Sequence, residues 1–211
     1  MTAIALPPVD AERAARRTAS LAGLNGDLAE VAARVRPCLV RVHDGGRSAG
    51  AGVALHRRGL IVTNAHVVAG RRVFVEAEGG IEHPASKIRV DRRLDLAALM
   101  VQSDDLAPLP IGDSRALAAG SWVLAFGHPY GVRGAASAGI VIGSGLDLPE
   151  MPADGREWLA MSLRLRPGNS GGPVVDSSGQ LVGLNAMMAG PGVGLAVPAH
   201  VIKEFLQGAI E

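Results

Sequence analysis

The sequence predicts an all-β chain of two antiparallel six-stranded barrels with a cleft between them and short helices at both ends. Three observations carry this. From Leu39 onward the apolar residues come in short β-branched runs broken by glycine and charge rather than at helical spacing. Many of the 28 glycines fall between these runs, where turns need them. Pro110 divides the runs into two sets of similar number.

Residues 1–20 are rich in alanine and arginine and carry Pro7-Pro8, which predicts a flexible extension ahead of a domain spanning 21–211. Asp27 is a plausible N-cap for a helix over 27–36, with Leu28, Val31, Ala32 and Val35 on one face and Pro37 as its stop. The first barrel, 37–109, is assigned Leu39–Val42, Gly52–Leu55, Leu60–Thr63, Arg72–Glu76, Lys87–Val90 and Leu96–Val101. The second, 110–197, takes Trp122–Phe126, Ala135–Gly143, Trp158–Leu163, Pro173–Val175, Leu181–Met187 and Val193–Ala196. Ser144 to Gly155 is the longest strandless stretch and a candidate mobile loop. Pro198 opens a helix over 198–211, whose Val201, Ile202, Phe205 and Leu206 form an apolar stripe.

With 211 residues, 48% hydrophobic and 19% charged, the chain can bury a sizeable core. Its net charge of +1 gives no general reason to expect nucleic acid or an anionic membrane as partner. Arg71-Arg72 and Arg92-Arg93 read as solvated turn residues. The single Cys38 excludes an internal disulfide and multi-cysteine zinc sites, and reads as a buried small hydrophobe. No histidine and carboxylate cluster has metal-ligand spacing, so neither metal nor cofactor is expected. The first ten residues lack a basic and apolar leader pattern, which reads as cytoplasmic.

Gly168-Asn169-Ser170-Gly171-Gly172-Pro173 places a serine in a bend that flanking glycines permit, with N–H groups free to converge. A serine hydroxyl needs a base, and that base needs an orienter. Thr63-Asn64-Ala65-His66-Val67-Val68 supplies a histidine at a strand end, and Asp95 opens Asp95-Leu96-Ala97-Ala98-Leu99. His66, Asp95 and Ser170 are thus candidate base, orienter and nucleophile. The elbow of α/β-hydrolases also reads G-x-S-x-G but puts its histidine after the serine. Here the only later histidine is His200, in the C-terminal helix.

These motifs and their order resemble the trypsin-like serine peptidases, and in detail their HtrA/Deg branch, from about Asp27 to Leu206. The separations of 29 and 75 residues are similar to that branch's. The resemblance implies an endopeptidase acting on unfolded polypeptide, with an oxyanion hole from the N–H groups of Gly168 and Ser170. Substrate would add a strand along Asn185, Ala186, Met187 and Met188. Asn169, where digestive relatives carry aspartate, implies no zymogen cleavage. Arg164 and Arg166 depart from the pattern, which has a small apolar residue and an asparagine there. Arg164 then either selects an acidic residue before the cut bond, or turns to solvent or to Asp147 or Glu157, leaving a pocket shaped by Leu163, Leu165 and Met187. A silent peptide-binding or chaperone-like relative is the alternative function. No PDZ-like segment follows in these 211 residues, and a homo-oligomer is suggested only by the family's trimeric habit. His128, in Gly127-His128-Pro129-Tyr130, reads as structural, and His43, His56, His83 and His200 as surface or loop residues.

Overall fold

The computed structural model describes residues 11–45, 49–146, 148, 152 and 154–207. It opens with helix α1, Ala11–Val35, which turns through a 3-10 segment at Arg36–Cys38. The helix therefore starts well before Asp27, which lies within it. Gly23 and Gly26 weaken this part as an isolated helix, so the periodic face beyond Asp27 was the only part visible as pattern. Its last turns bury Val31 and Val35, and Pro37 ends it as expected. Of the extension, residues 1–10 lie outside the described residues.

The first half holds β1 (Leu39–His43), β2 (Ala49–His56), β3 (Leu60–Thr63), β4 (Phe74–Glu76), β5 (Glu82–Pro84), β6 (Ser86–Asp91) and β7 (Leu96–Met100). They form one antiparallel sheet in the order β5-β4-β1-β2-β3-β7-β6. This is seven strands rather than the expected six. The extra one, β5, is short and ends on Pro84, which cannot donate to a ladder and so hides a strand from pattern reading. The two edge strands are consecutive in the chain, joined by Ala85 alone, so the sheet must roll until its edges meet.

The second half closes into a six-stranded barrel in the order β10-β13-β12-β11-β8-β9. Its strands are β8 (Trp122–Gly127), β9 (Ala135–Gly145), β10 (Trp158–Ser162), β11 (Pro173–Val175), β12 (Leu181–Gly190) and β13 (Val193–Pro198). Helix α2, Ala199–Gln207, follows directly and buries Ile202, Phe205 and Leu206. Of the stretch from Ser144 to Gly155, residues 147, 149–151 and 153 lie outside the described residues.

Each half has its own interior. Val40, Ile61, Val75 and Leu99 fill the first, and Val123, Leu159, Met161 and Val182 the second. A third cluster joins the halves: Val53, Val62 and Leu96 share it with Phe126, Trp158 and Leu184 and with Val35 and Phe205 of the helices. Burial across this seam holds the halves together and sets the walls of the cleft between them. No described helix is long and apolar enough to cross a membrane.

Candidate active site

His66 lies on a 3-10 turn, Ala65–Val68, entered directly from β3. Its Nδ1 stands 2.8 Å from Asp95 Oδ2, and its backbone N–H donates to Asp95 Oδ1 at 3.0 Å. One carboxylate thus holds both the ring and the main chain of the same histidine. Asp95 has a φ of 55°, the left-handed region, which costs a non-glycine residue about 1–2 kcal/mol. The strain is held by fully buried Asn64, whose Nδ2 donates to the Asp95 carbonyl at 2.9 Å. Asn64 is a positioning residue that pattern reading passed over, although it stands two residues before the histidine.

Ser170 approaches from the second half. Its carbonyl accepts from Ala51 N of β2 at 2.8 Å, and Thr63 Oγ1 donates to the Ala51 carbonyl at 2.7 Å. Behind it, Gly171 N donates to Asn185 O and Asn185 N donates to Gly172 O, at 2.8 and 2.9 Å. Gly171 has a φ of 81°, and a Cβ there would lie 2.1 Å from Ala51 O. Only glycine permits this approach. Ser170 Oγ donates to the Ala186 carbonyl at 3.1 Å. Among the described residues it makes no hydrogen bond to His66, whose side chain is half exposed.

The turn before the serine is clamped from the other side. His128 N donates to Gly168 O at 2.9 Å and Tyr130 N to Pro167 O at 3.1 Å. The Pro167 carbonyl is therefore spoken for by Tyr130. Buried Asn169 takes Arg166 N on its side-chain oxygen at 3.0 Å, a local role that asks for no new N-terminus. Among the described residues, the N–H groups of Gly168 and Ser170 donate to no backbone carbonyl.

His128 is more than a turn residue. Burial holds its imidazole below the usual histidine range, and Nδ1 accepts from Gly134 N at 3.3 Å. Nearby, burial alone would raise the Glu76 carboxyl, yet hydrogen bonds from Arg133 and Arg41 hold it below its ordinary value. Burial, helped by Glu78, raises the Cys38 thiol to about 11, so it stays protonated and inert.

Two histidines read as surface or loop residues belong instead to β1 and α2 and have partners there. His43 is buried, stacks on Phe74 at 5.6 Å between centroids and lies 3.0 Å from Glu82. His200 bridges Ser114 and Glu157, with Nδ1 2.9 Å from the hydroxyl and Nε2 2.8 Å from the carboxylate. Ser114 also accepts from His200 N at 3.1 Å, serving the first turn of α2. His56 is exposed, and His83 is partly buried on β5. Among the described residues no group of three His, Cys, Asp or Glu could hold a metal.

The expected substrate residues divide. Asn185 is fully buried and donates its side-chain amide to Phe126 O at 2.9 Å, so it supports the cleft from behind. Ala186 is buried, but its carbonyl faces Ser170. Met187 is exposed, and Met188 Sδ accepts from Leu165 N at 3.1 Å. Strand β11 pairs with β12 only as far as Leu184, which leaves that edge without a β11 partner from Ala186 on. Arg164 is exposed while Leu163 and Leu165 on either side are buried. It lines a groove of about 660 Å³ with Tyr130, Arg166, Met188 and Gly190. Glu157 is occupied by His200, and Asp147 lies outside the described residues. Leu163 and Leu165 both belong to the cluster inside the barrel, and Leu165 also lines the groove.

Residues 50–184 match the trypsin-like peptidase domain family, and the chain belongs to it. The relatives and solved structures it is similar to are HtrA-type proteases. Mitochondrial serine protease HTRA2 of Drosophila erecta is 34% identical over 169 residues, covering 78% of this chain and 40% of the relative; that of Drosophila virilis is 34% identical over 167. Among solved structures, the HtrA-type protease AlgW with a tripeptide aligns at a TM-score of 0.80 and 29% identity, over 87% of this chain and 63% of that one. The chain thus spans well under two thirds of those curated relatives. Their mitochondrial naming overturns the cytoplasmic reading, which rested only on the make-up of the first residues.

Proposed function

We propose that the protein is a serine endopeptidase that hydrolyses peptide bonds in extended polypeptide. The observation that carries this is the His66–Asp95 pair at 2.8 Å on the first half, together with a glycine-framed serine whose carbonyl accepts from Ala51 N of that same half. Ser170 attacks the scissile carbonyl while His66 Nε2 takes its proton and then delivers it to the leaving amine. Asp95 keeps Nδ1 protonated and stabilises the imidazolium. The N–H groups of Gly168 and Ser170 receive the oxyanion. Pairing of Pro167 O with Tyr130 N supports that assignment, because it keeps this carbonyl occupied elsewhere.

Substrate adds as an antiparallel strand to the edge of β12 from Ala186 to Met188, a mode that gives affinity through the main chain with little sequence demand. AlgW in its tripeptide and decapeptide complexes supports a polypeptide partner. The hydrogen bond from Ser170 Oγ to Ala186 O favours a second reading, a silent peptide-binding relative. Catalytic hydrogen bonds often form only once substrate is bound, and a rotation about one side-chain bond frees this hydroxyl. Labelling with a fluorophosphonate decides between the two. Modification of the native protein, lost in Ser170→Ala, is expected of the peptidase; an unlabelled protein that still binds peptide belongs to the silent relative.

A further inference from the structure

The turn that holds the nucleophile loop is itself strained and needs an anchor. Within it, Tyr130 has a φ of 52°, and apart from Asp95 it is the only non-glycine residue in the left-handed region among the described residues. Such a conformation persists only where its surroundings over-determine it. One end of the turn, His128, continues directly from β8. Towards the other end Arg133 reaches across to the first half, where its guanidinium donates to Glu76 Oε1 on β4. Glu76 stands directly opposite Arg41 in the pairing of β1 with β4, and Arg41 donates to its Oε2 at 3.2 Å. One carboxylate, its side chain only 10% exposed, thus joins a guanidinium from each half. Between the turn and the first half lies a cavity of about 330 Å³, lined by Leu39, Arg41 and Glu76 on one half and by His128, Arg133 and Gly134 on the other. Close packing therefore does not hold the turn there, and the ion pair is left to do so. From Arg133 the path to the nucleophile loop is short. Gly134 N donates to His128 Nδ1 at 3.3 Å, and His128 N and Tyr130 N donate to the Gly168 and Pro167 carbonyls.

We propose that Glu76 is a positioning residue for the oxyanion hole: by holding Arg133 it fixes the 128–134 turn, and the turn fixes the direction of the Gly168 N–H. The inference rests on the peptidase reading and adds to it a residue outside the triad. The last step follows from covalent geometry. The Pro167 carbonyl and the Gly168 N–H belong to one planar peptide, so the bond from Tyr130 N to that carbonyl sets where the N–H points. The first step follows from charge. Burial would raise the Glu76 carboxyl, but Arg133 and Arg41 hold it below its ordinary value, so it is ionised at neutral pH. An ionised acceptor makes a shorter and stronger bond to a guanidinium than a neutral one does. Among the described residues Arg133 has no second ion-pair partner, so loss of the carboxylate frees the strained turn to relax.

The test compares Glu76→Gln, which keeps the shape and removes the charge, with Arg133→Ala, whose side chain is 59% exposed and so can be lost without opening the core. Each should lower kcat on a fluorogenic peptide about tenfold, the scale of a lost charge-assisted hydrogen bond, and leave KM within twofold. The double variant should be little worse than either, because both cut the same link. Arg133→Lys keeps the charge and should recover most of the rate. Arg115→Ala, which severs the exposed Arg115–Glu204 pair of the second half, is the control and should keep the parent kcat. Amide hydrogen exchange reads the clamp without turnover: residues 128–134 and 166–170 should exchange faster in Glu76→Gln, while β12 keeps the parent rate. A kcat within twofold of the parent in both single variants, an effect confined to KM, or losses that multiply in the double variant would overturn the role. Faster exchange in those two segments of a protein that cleaves no peptide would refute the peptidase and keep the clamp on the loop.

Discussion

Gly168 sits where the nucleophile loop meets the 128–131 turn, with a φ of 99°. A Cβ built there would lie 2.2 Å from the His128 carbonyl oxygen, 2.8 Å from its carbon and 3.2 Å from Pro129 Cα. All three are backbone atoms, so no side chain can swing away, and the bonds from His128 N to Gly168 O and from Tyr130 N to Pro167 O hold the loop in place. Gly168→Ala must therefore move the Gly168 N–H. Loss of one oxyanion donor costs about 10²–10³ in kcat, and that is the expected fall against a fluorogenic peptide. The left-handed φ adds about 1–2 kcal/mol of instability. In a chain of this size each kcal/mol lowers Tm by about 2–4 °C. Gly120→Ala is the matched control, since its φ is 91° and a Cβ there meets nothing within 4 Å. It should share the backbone cost and keep the activity. Gly168→Ala with kcat within twofold of the parent would refute the oxyanion assignment.

Other consequences are testable on the same protein. Ser170→Ala should reduce cleavage to background while remaining folded, His66→Ala should be nearly as severe, and the double variant little worse than either, as read by kcat. Asp95→Asn should cost about four orders of magnitude in kcat, the scale of a wrongly set tautomer in such a triad; parent-like turnover would remove Asp95 from the mechanism. His128 has a folded value below its unfolded 6.5, so the unfolded chain binds more protons as pH falls through that value. Its contribution to stability is whole above that pH and declines below it, and His128→Asn should flatten the loss of Tm between neutral and mildly acid pH. Cys38, buried and held protonated, should resist iodoacetamide at neutral pH and react only in denaturant; rapid native alkylation would contradict its placement.

Strand identity was legible wherever an apolar run was closed by a hard stop. Leu60–Thr63 and Pro173–Val175 have the bounds expected of them, because Gly59 and Asn64 bracket one and Pro173 and Asp176 the other. The α1 start was not legible, since two glycines and a charged, alanine-rich stretch carry no periodic face. Strand β5 escaped for the opposite reason: its pairing with β4 depends on partners in space, and Pro84 argues against it locally. The site was legible as three motifs because each chemistry needs its own residue type. What surrounds it was not. Whether Asn185 faces substrate or Phe126, and whether Arg164 faces a pocket or solvent, depends on strand register and bulges, and β12 shifts register between Asn185 and Met187. A shift of one residue exchanges the faces of a strand, and single-sequence patterns do not fix it.

The hydrogen bond from Ala51 N to Ser170 O has a consequence for how such an enzyme fails. Ser170 is suspended from the opposite half of the molecule, so its position reports the fit between two walls rather than the integrity of either. A small parting of those walls, too slight to melt a barrel, would leave both halves intact and the serine out of line with its base. Heat or mild denaturant should accordingly silence the protein before spectroscopy sees it unfold, and restoring the fit should restore the serine to line without refolding either half.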